Sequence, residues 1–400
     1  MENNKFFNLI LIWFCLALLG GNLLILILPG VGKASILDLA VLVMVLLGLW
    51  QLRHSKLTRL PLIIWSAGLF ILLATISLLG SLRMINLPEM LVSGLFLVRW
   101  VVYAGLFIWA YALNRAQRNS TFNFIGVTLG LVVLLGLVQL IIFPNLGFWE
   151  RLGWDPHQNR LVSTFLDPNL LGGFLVVGLV IPLRQWFNPS TKTRWRWLWL
   201  LIIILINLAV FLTYSRSALL ALIVFWLIVG WRYWRVALMG LLLVGLVVLI
   251  SPRLQTRVGG IFNIDVTAQH RLDSWQDALT IIKQEPILGV GYNTLPYTKA
   301  RFIYQPQSRA YSGFDSSLLT IATTTGALGL AAYLGMVMMI LIGLIKIILA
   351  KRQFLALGVL ASTMALIVNS LFVNSWLYTP VLALWWVILG LALSKNISND

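Results

Sequence analysis

The chain has 400 residues, of which 60% are hydrophobic and only 10% are charged, with a formal net charge of +17. This composition places it among integral membrane proteins and excludes an ordinary soluble domain. The apolar runs are continuous and do not alternate with polar residues, which excludes a transmembrane β-barrel. In a soluble protein the basic excess would suggest a nucleic-acid partner. Here the charges lie between apolar runs, so we expect membrane lipids and no nucleic acid as partners.

The apolar runs predict the architecture. A helix needs about 20 apolar residues to cross a hydrocarbon core of about 30 Å. Runs of this kind begin near Phe6, Leu37, Leu60, Leu91, Phe122, Leu170, Leu198, Ala218, Val236, Gly326, Phe354 and Leu377. They predict an all-α polytopic protein with about twelve transmembrane helices. We divide the chain into 1–251, with the first nine or so helices, the long polar segment 252–313, and 314–400, which contains the remaining helices.

The basic residues predict the orientation of the chain. They collect in alternate connections, at Arg53, Lys56, Arg59, Arg115, Arg118, Arg184, Lys192, Arg194, Arg196, Arg232, Arg235, Lys346, Lys351 and Arg352. The other short connections are poor in basic residues. By the positive-inside rule, both termini are cytoplasmic, and residues 144–168 and 252–313 lie on the outer face.

The first of four polar motifs on the outer face is Arg160-Leu-Val-Ser-Thr-Phe-Leu-Asp-Pro-Asn169. Its candidate substrate-binding residues are Arg160, Ser163, Thr164 and Asn169. The simpler interpretation is that Asp167 or Asn169 caps the helix that follows. Arg160 is harder to explain in that way, because positive charge is disfavoured on this face.

The second motif is the turn Tyr214-Ser215-Arg216-Ser217 between two apolar runs. An arginine in such a turn is costly unless it extends to the interface or meets an anion. The hydroxyl groups of Tyr214, Ser215 and Ser217 are suited to phosphate oxygens bound by the Arg216 guanidinium. We therefore expect these four residues to bind an anionic substrate.

The third motif lies in residues 269–284, which predict an amphipathic helix with Leu272, Trp275, Leu279 and Ile282 on one face. Arg271 and Trp275 are one turn apart and share a side of this helix. A guanidinium beside an aromatic ring suits a sugar phosphate. The alternative is a surface ion pair between Arg271 and an acidic neighbour, which contributes less than about 1 kcal/mol.

The fourth motif is Asp315-Ser-Ser-Leu-Leu-Thr320, followed by Gly326-x-x-Gly329. A carboxylate at the bilayer edge can act as a general base toward a hydroxyl. The alternative is that Asp315 only caps a helix. The sequence shows no His, Asp or Glu cluster with the spacing of metal ligands, so no metal site is predicted.

Taken in order, these motifs resemble the O-antigen ligase and polymerase family of bacterial envelope glycosyltransferases. The resemblance covers most of the chain and includes the Pro286-Ile-Leu-Gly-Val-Gly291 stretch. It implies a multi-pass protein of the bacterial inner membrane with 252–313 in the periplasm. It also implies transfer of a glycan from an undecaprenyl diphosphate carrier to a hydroxyl-bearing acceptor (a glycolipid, a glycan or a protein), without metal or other cofactor.

The resemblance also implies roles for residues of this chain. Arg216 and Arg271 would hold the diphosphate leaving group. Family members commonly carry His-Asn where this chain has Asp315-Ser316, and Glu where it has Thr324. That histidine is the expected base, so either Asp315 is the catalytic base here or this chain has lost or altered the chemistry.

Two other classes of protein remain as alternatives. A transporter of bicarbonate or another small anion could use the same fold, but it needs polar residues along a path through the bilayer. Apart from Asp38, Glu89 and Arg99 near predicted helix ends, the apolar runs carry almost no charge. A purely structural membrane protein would leave Arg216 in its hydroxyl-rich turn unexplained.

Overall fold

A computed structural model describes residues 2–28, 32–54, 61–152, 155–259, 266–303, 313–351 and 353–394. The described part of the chain is mostly helical and contains an antiparallel hairpin near its start. The elements, in chain order, are α1 (Glu2–Gly20), β1 (Ile25–Leu28), β2 (Gly32–Ser35), α2 (Ile36–His54), α3 (Leu62–Gly80), α4 (Leu87–Ala112), α5 (Arg115–Ile142), α6 (Pro168–Gly178), α7 (Val180–Phe187), α8 (Thr193–Leu212), α9 (Arg216–Ile250), α10 (Pro252–Gly259), α11 (Val266–Gln284), α12 (Leu295–Phe302), α13 (Ser317–Lys351), α14 (Phe354–Ser370) and α15 (Thr379–Leu393).

The predicted membrane character is confirmed. Within the described ranges, nine helices or helix pairs are long and apolar enough to cross a membrane, and α14 and α15 are shorter apolar helices. The chain is therefore an all-α polytopic membrane protein. The count of about twelve crossings stays a prediction.

Helix α9 is a helical hairpin rather than one straight rod. Its backbone leaves the helical region at Tyr233. A Cβ placed on Gly240 would overlap the ring of Trp226, and one placed on Gly230 would lie 3.0 Å from Ala237 Cβ. Residues on the two sides of the kink therefore pack against each other. The two halves match the separate apolar runs predicted from Ala218 and Val236.

Phe7 and Ser394, which lie near opposite ends of the chain, both contact the last turns of α4. The ring of Phe7 stacks on Trp109 at the end of α4, with centroids 6.0 Å apart. The hydroxyl of Ser394 donates to the carbonyl of Tyr111 at 3.0 Å. The candidate site lies at the opposite ends of these helices, where α6 and α13 begin.

A packed group of aromatic rings fills the centre of the bundle. Trp100 of α4 meets Trp386 of α15 edge to face at 6.1 Å. Tyr333 of α13 meets Phe70 of α3 at 5.0 Å and Trp376 at 5.4 Å. Helices in a membrane associate through such close packing, because lipid offers no hydrophobic gain. This group fixes α4, α13 and α15 relative to one another.

Helix α13 is broken where the fourth motif places its first glycine. Gly326 has φ +64°, which L side chains rarely adopt, and a Cβ there would overlap the carbonyl of Ile287. The Pro286–Gly291 stretch pairs with the break: Val290 N donates to Thr323 O at 3.0 Å, and Ala327 N donates to Pro286 O at 2.8 Å. The glycines of both motifs therefore join the outer segment to the membrane helix.

Helix α11 confirms the predicted amphipathic helix, but with a different packed face. Its buried residues are Ser274, Asp277, Ala278 and Ile281. Leu272 and Leu279 of the predicted apolar stripe are 36% and 48% exposed. The reason is that the two polar residues have partners inside: Ser274 meets Asp315, and Asp277 meets Lys299.

Candidate functional site

The turn before α9 lies against the outer loop that contains the first motif. The Arg160 side chain donates through Nε to the carbonyl of Thr213 at 2.8 Å, and Leu161 N donates to Leu212 O at 2.9 Å. The structure therefore brings the first and second motifs together. Arg160 is held at the turn that carries Arg216.

The serines of this turn are buried. Ser215 and Ser217 are 1% and 3% exposed, and their hydroxyl oxygens lie 3.2 Å apart. Ser215 Oγ also accepts from Ala218 N at 3.4 Å, so this serine caps α9. These contacts hold Arg216, which is half-buried, at the first position of the helix.

The outer loop and the turn are strained. Asn159, Ser163, Leu166 and Tyr214 all have φ between +50° and +55°. Residues with a side chain adopt this left-handed conformation at a cost of order 1–3 kcal/mol each. Strain of this kind persists only where surrounding contacts impose it, and it is common at functional sites.

The other residues of the first motif anchor the loop. Ser163 Oγ donates to Val132 O at 2.7 Å, and Thr164 Oγ1 donates to Leu19 O at 2.7 Å. Asp167 caps α6, because its Oδ1 accepts from Asn169 N at 2.7 Å and from Leu170 N at 2.9 Å. The capping interpretation of Asp167 is confirmed. The substrate-binding roles of Ser163, Thr164 and Asn169 stay predictions.

Asp315 is held between α11 and α13 through its backbone. Its N–H donates to Ser274 Oγ at 3.0 Å, and its carbonyl accepts from the indole N–H of Trp275 at 3.3 Å. The cap at the start of α13 comes from the next residue, since Ser316 Oγ accepts from Leu319 N at 3.3 Å. These contacts leave the carboxylate of Asp315 available for a role other than capping.

The electrostatic surroundings of Asp315 include residues from the first and the third motif. Burial raises the pKa of its carboxyl group, and the Arg271 cation opposes that increase. The nearby carboxylates of Asp167 and Asp155 raise this pKa further. The carboxyl group of Asp315 is therefore within electrostatic range of both Arg271 and the outer loop.

A buried ion pair packs against Phe314, the residue before Asp315. Lys299 of α12 and Asp277 of α11 are 3% and 7% exposed, and Lys299 Nζ lies 3.5 Å from Asp277 Oδ2. The Lys299 ammonium also lies 4.9 Å from the centre of the Phe314 ring. Burial lowers the pKa of Lys299, whereas the carboxylates of Asp277 and Asp315 raise it. The pair fixes α11, α12 and the residues before Asp315 as one unit.

A cavity of about 360 Å³ with both polar and apolar lining residues lies beside these motifs, and we call it the outer cavity. Its polar lining residues include Asn22, Asp38, Arg99, Thr320, Thr324 and Asn374. The predicted site residues themselves do not line it. Two of its lining residues are near them in sequence: Leu170 on α6 directly follows Asn169, and Thr320 is in the first turn of α13, which begins shortly after Asp315.

Sequence reasoning missed two parts of this region. Arg253 donates to the carbonyls of Asn159 and Gln158 at 2.7 and 3.0 Å, and its guanidinium carbon lies 4.1 Å from the centre of the Tyr214 ring. Its position just after the long apolar run of α9 was a signal for such an anchor. Arg99 pairs with Asp38 at 3.0 Å in the outer cavity. Two opposite charges in otherwise apolar runs were the available signal for that pair.

Comparison with known proteins gives one result for the family. Residues 199–334 match the family model described as O-antigen ligase. This stretch contains Arg216, Arg271, Trp275 and Asp315, whereas Arg160 lies outside it. No curated protein matches the chain. The family model confirms the resemblance over the stretch that contains the second, third and fourth motifs, and the first motif lies outside the match.

Proposed function

We propose that this chain, whose residues 199–334 match the O-antigen ligase family model, transfers a glycan from a lipid diphosphate carrier to an acceptor hydroxyl. The family match supports membrane glycan transfer in general. The identity of the carrier as undecaprenyl diphosphate, and independence of metal, are parts of our proposal.

The observation that carries this proposal is the environment of Asp315. Burial raises the pKa of its carboxyl group, which lies within electrostatic range of Arg271. The backbone of Asp315 is held by hydrogen bonds with Ser274 and Trp275. A general base works best when its pKa is close to the working pH. Burial moves an aspartate in that direction, so Asp315 suits the position where relatives carry histidine.

The proposed step is one displacement at the anomeric carbon of the donor sugar. Asp315 takes the proton of the acceptor hydroxyl, and the acceptor oxygen forms a bond to that carbon. The bond from the carbon to the diphosphate oxygen breaks, and lipid diphosphate leaves with the electron pair. Arg216 and Arg271 would neutralise the charge that develops on the leaving group.

The placement of the motifs supports an outward-facing site. Arg160, Arg216 and Asp315 all lie at the end of the bundle opposite Phe7 and Ser394. With the basic residues concentrated near the other end, the positive-inside rule makes this end periplasmic and both termini cytoplasmic. We place the protein in the bacterial inner membrane on this basis.

A transporter of small anions was the alternative from the sequence. The family match gives it no support.

The proposed function is tested in cells and with purified protein. A strain that lacks the gene should accumulate lipid-linked glycan, and the intact gene should reverse this accumulation. Purified protein in nanodiscs should then move radiolabelled glycan from undecaprenyl diphosphate to an acceptor extracted from the same strain. Unchanged lipid-linked glycan in the deletion strain, with no transfer by purified protein, would contradict the proposal.

A further inference from the structure

A cavity at the other end of α5 is separate from the candidate site. It encloses about 440 Å³ between α5 and the connection from α7 to α8, and we call it the α5–α8 cavity. Gln139, near the last turn of α5, binds the loop of the first motif, because its Oε1 accepts from Val162 N at 3.0 Å. Asn119, which lines the cavity, lies about 20 residues earlier, or about 30 Å along the helix. That distance matches the hydrocarbon core of a bilayer, so the cavity and the candidate site lie on opposite sides of the membrane.

Carboxamide side chains form much of the wall of the α5–α8 cavity. They belong to Asn119 and Asn123 of α5, Gln185 of α7, and Asn188 just after α7. Each carboxamide carries both hydrogen-bond donors and an acceptor. Such a wall suits a ligand rich in hydroxyl groups and phosphate oxygens, which both donate and accept.

This polar wall is held in place by its own hydrogen bonds. Gln185 is 4% exposed, donates to Asn123 Oδ1 and accepts from Arg184. Asn188 Oδ1 accepts from Ser190 N at 3.1 Å. A buried network of this kind fixes the positions of its members. The connection from α7 to α8 is therefore joined to α5 as a preformed site.

The charged groups at the α5–α8 cavity are cations. Lys192 is the charged residue of its described lining, and Arg196 donates to the carbonyl of Asn188 at 3.2 Å. All described lining residues lie in 119–127 and 185–199, and the sequence has no Asp or Glu in 90–149 or in 168–264. An anionic ligand therefore meets no acidic side chain from the elements that form the cavity.

Both walls change from polar to apolar in the direction of the bilayer centre. On α5, Asn119 and Asn123 are followed at the same spacing by Val127, so the three lie on one side of the helix. At the start of α8, Lys192 is followed by Trp195, a residue type that is enriched at the membrane surface. A phospholipid has the same order of chemistry from its headgroup to its acyl chains.

We propose that the α5–α8 cavity binds the headgroup of an anionic glycerophospholipid with a hydroxylated headgroup, such as phosphatidylglycerol. The phosphate meets Lys192, and the headgroup hydroxyls bond to the carboxamides of Asn119 and Asn123. The acyl chains extend past Val127 and Leu131, which are 43% and 42% exposed on the surface of α5. In the orientation proposed above, this lipid belongs to the cytoplasmic leaflet. The site does not depend on glycan transfer, because the membrane separates it from Asp315.

The lipid chemistry is tested by native mass spectrometry of the delipidated, full-length protein in detergent. Dioleoyl phosphatidylglycerol should bind about 5-fold more tightly than dioleoyl phosphatidylcholine, whose headgroup has no net charge. It should also bind more tightly than dioleoyl phosphatidylmethanol, which has the same charge but no headgroup hydroxyls. Phosphatidylglycerol binding no tighter than either of the other two lipids would overturn the assignment.

A pair of charge variants tests the site itself. Lys192→Gln should weaken phosphatidylglycerol binding by about 5-fold, because the cation that meets the phosphate is removed. Arg194→Gln is the matched control, since Arg194 is exposed two residues further along and does not line the cavity. It should leave the affinity unchanged in detergent, where no anionic membrane surface is present. Equal effects of the two variants would overturn the role of Lys192.

Photocrosslinking locates the lipid and separates it from a soluble phosphate. Phosphatidylglycerol with a diazirine in its headgroup is illuminated with the wild-type protein in phosphatidylcholine nanodiscs. Crosslinks should map to 119–127 and 185–199 and disappear with excess unlabelled phosphatidylglycerol. Equal competition by glycerol 1-phosphate at the same concentration would show that the cavity takes a soluble phosphate and overturn the lipid assignment. Competable crosslinks that lie only outside these stretches would overturn the site.

Discussion

Trp275 and Asp315 are joined across two helices by a hydrogen bond of 3.3 Å from the indole N–H to the backbone carbonyl. The bond positions α11 against the start of α13. Arg271 lies one turn before Trp275 on the same side of α11, so it is directed toward the same region. The arginine and the aspartate, far apart in sequence, consequently interact electrostatically.

The first prediction concerns the two arginines of the proposed leaving-group site. Arg216→Lys and Arg271→Lys should each lower kcat by on the order of 10²-fold, because lysine keeps the charge but loses the planar fork. Arg301→Lys is the matched control, since Arg301 is exposed on α12 in the same outer segment. Transfer assays with purified variants provide the measurement. Wild-type kcat in both site variants would contradict the diphosphate role.

The second prediction concerns pH. Burial raises the pKa of Asp315, so its carboxylate takes up a proton at a higher pH than an ordinary aspartate does. The transfer rate should therefore fall as the pH falls through this raised pKa. Above that pKa the rate should be at its full value. Asp155→Asn removes a negative neighbour that raises this pKa, so the acidic limb should move to lower pH.

The pH profile of kcat/KM provides the measurement for that prediction. Asp273→Asn is a suitable control, because Asp273 is bound by Gln269 on its own helix at 2.9 Å. An acidic limb that moves equally in both variants, or in neither, would argue against titration of Asp315.

The third prediction concerns the break in α13. Gly326→Ala should lower the stability of the protein by about 1–3 kcal/mol or more, because alanine is strained at φ +64° and its Cβ would overlap Ile287. Gly335→Ala in the same helix has open space around its Cβ and should be neutral or slightly stabilising. Thermal unfolding in detergent compares the two. Equal melting temperatures would show that the break is not required.

The fourth prediction concerns the buried ion pair of α11 and α12. Lys299→Met leaves the Asp277 carboxylate buried without its cation, which should cost about 3–5 kcal/mol. The double variant with Asp277→Leu should recover most of this loss, because no charge is then left buried. Denaturation midpoints of both single variants and the double variant give the coupling. A double variant no better than Lys299→Met would contradict this account.

Much of the fold followed from the sequence because membrane helices have a strong signal. Continuous apolar runs predicted the helices, including the two halves of α9, and the Gly326 motif coincided with the break in α13. The packed face of α11 did not follow. Apolar spacing favoured Leu272 and Leu279, whereas tertiary partners draw Ser274 and Asp277 inside.

The candidate site was predictable only in part. Each motif could be found along the chain, but their proximity depends on tertiary contacts such as that between Arg160 and Thr213. The roles of Ser316 as the cap and of Arg253 as an anchor of the outer loop depend on side-chain geometry. The pairing of Asp38 with Arg99 joins residues on two helices, and no spacing rule predicts it.

The most direct test of the central claim is glycan transfer by Asp315→Asn. Asparagine keeps the size of the side chain and leaves the backbone contacts with Ser274 and Trp275 possible, but it cannot take a proton. With purified protein and a lipid-linked donor, we expect kcat to fall by roughly 10²-fold or more while the protein remains folded. Near-normal transfer by a folded Asp315→Asn variant would contradict the assignment of Asp315 as the base.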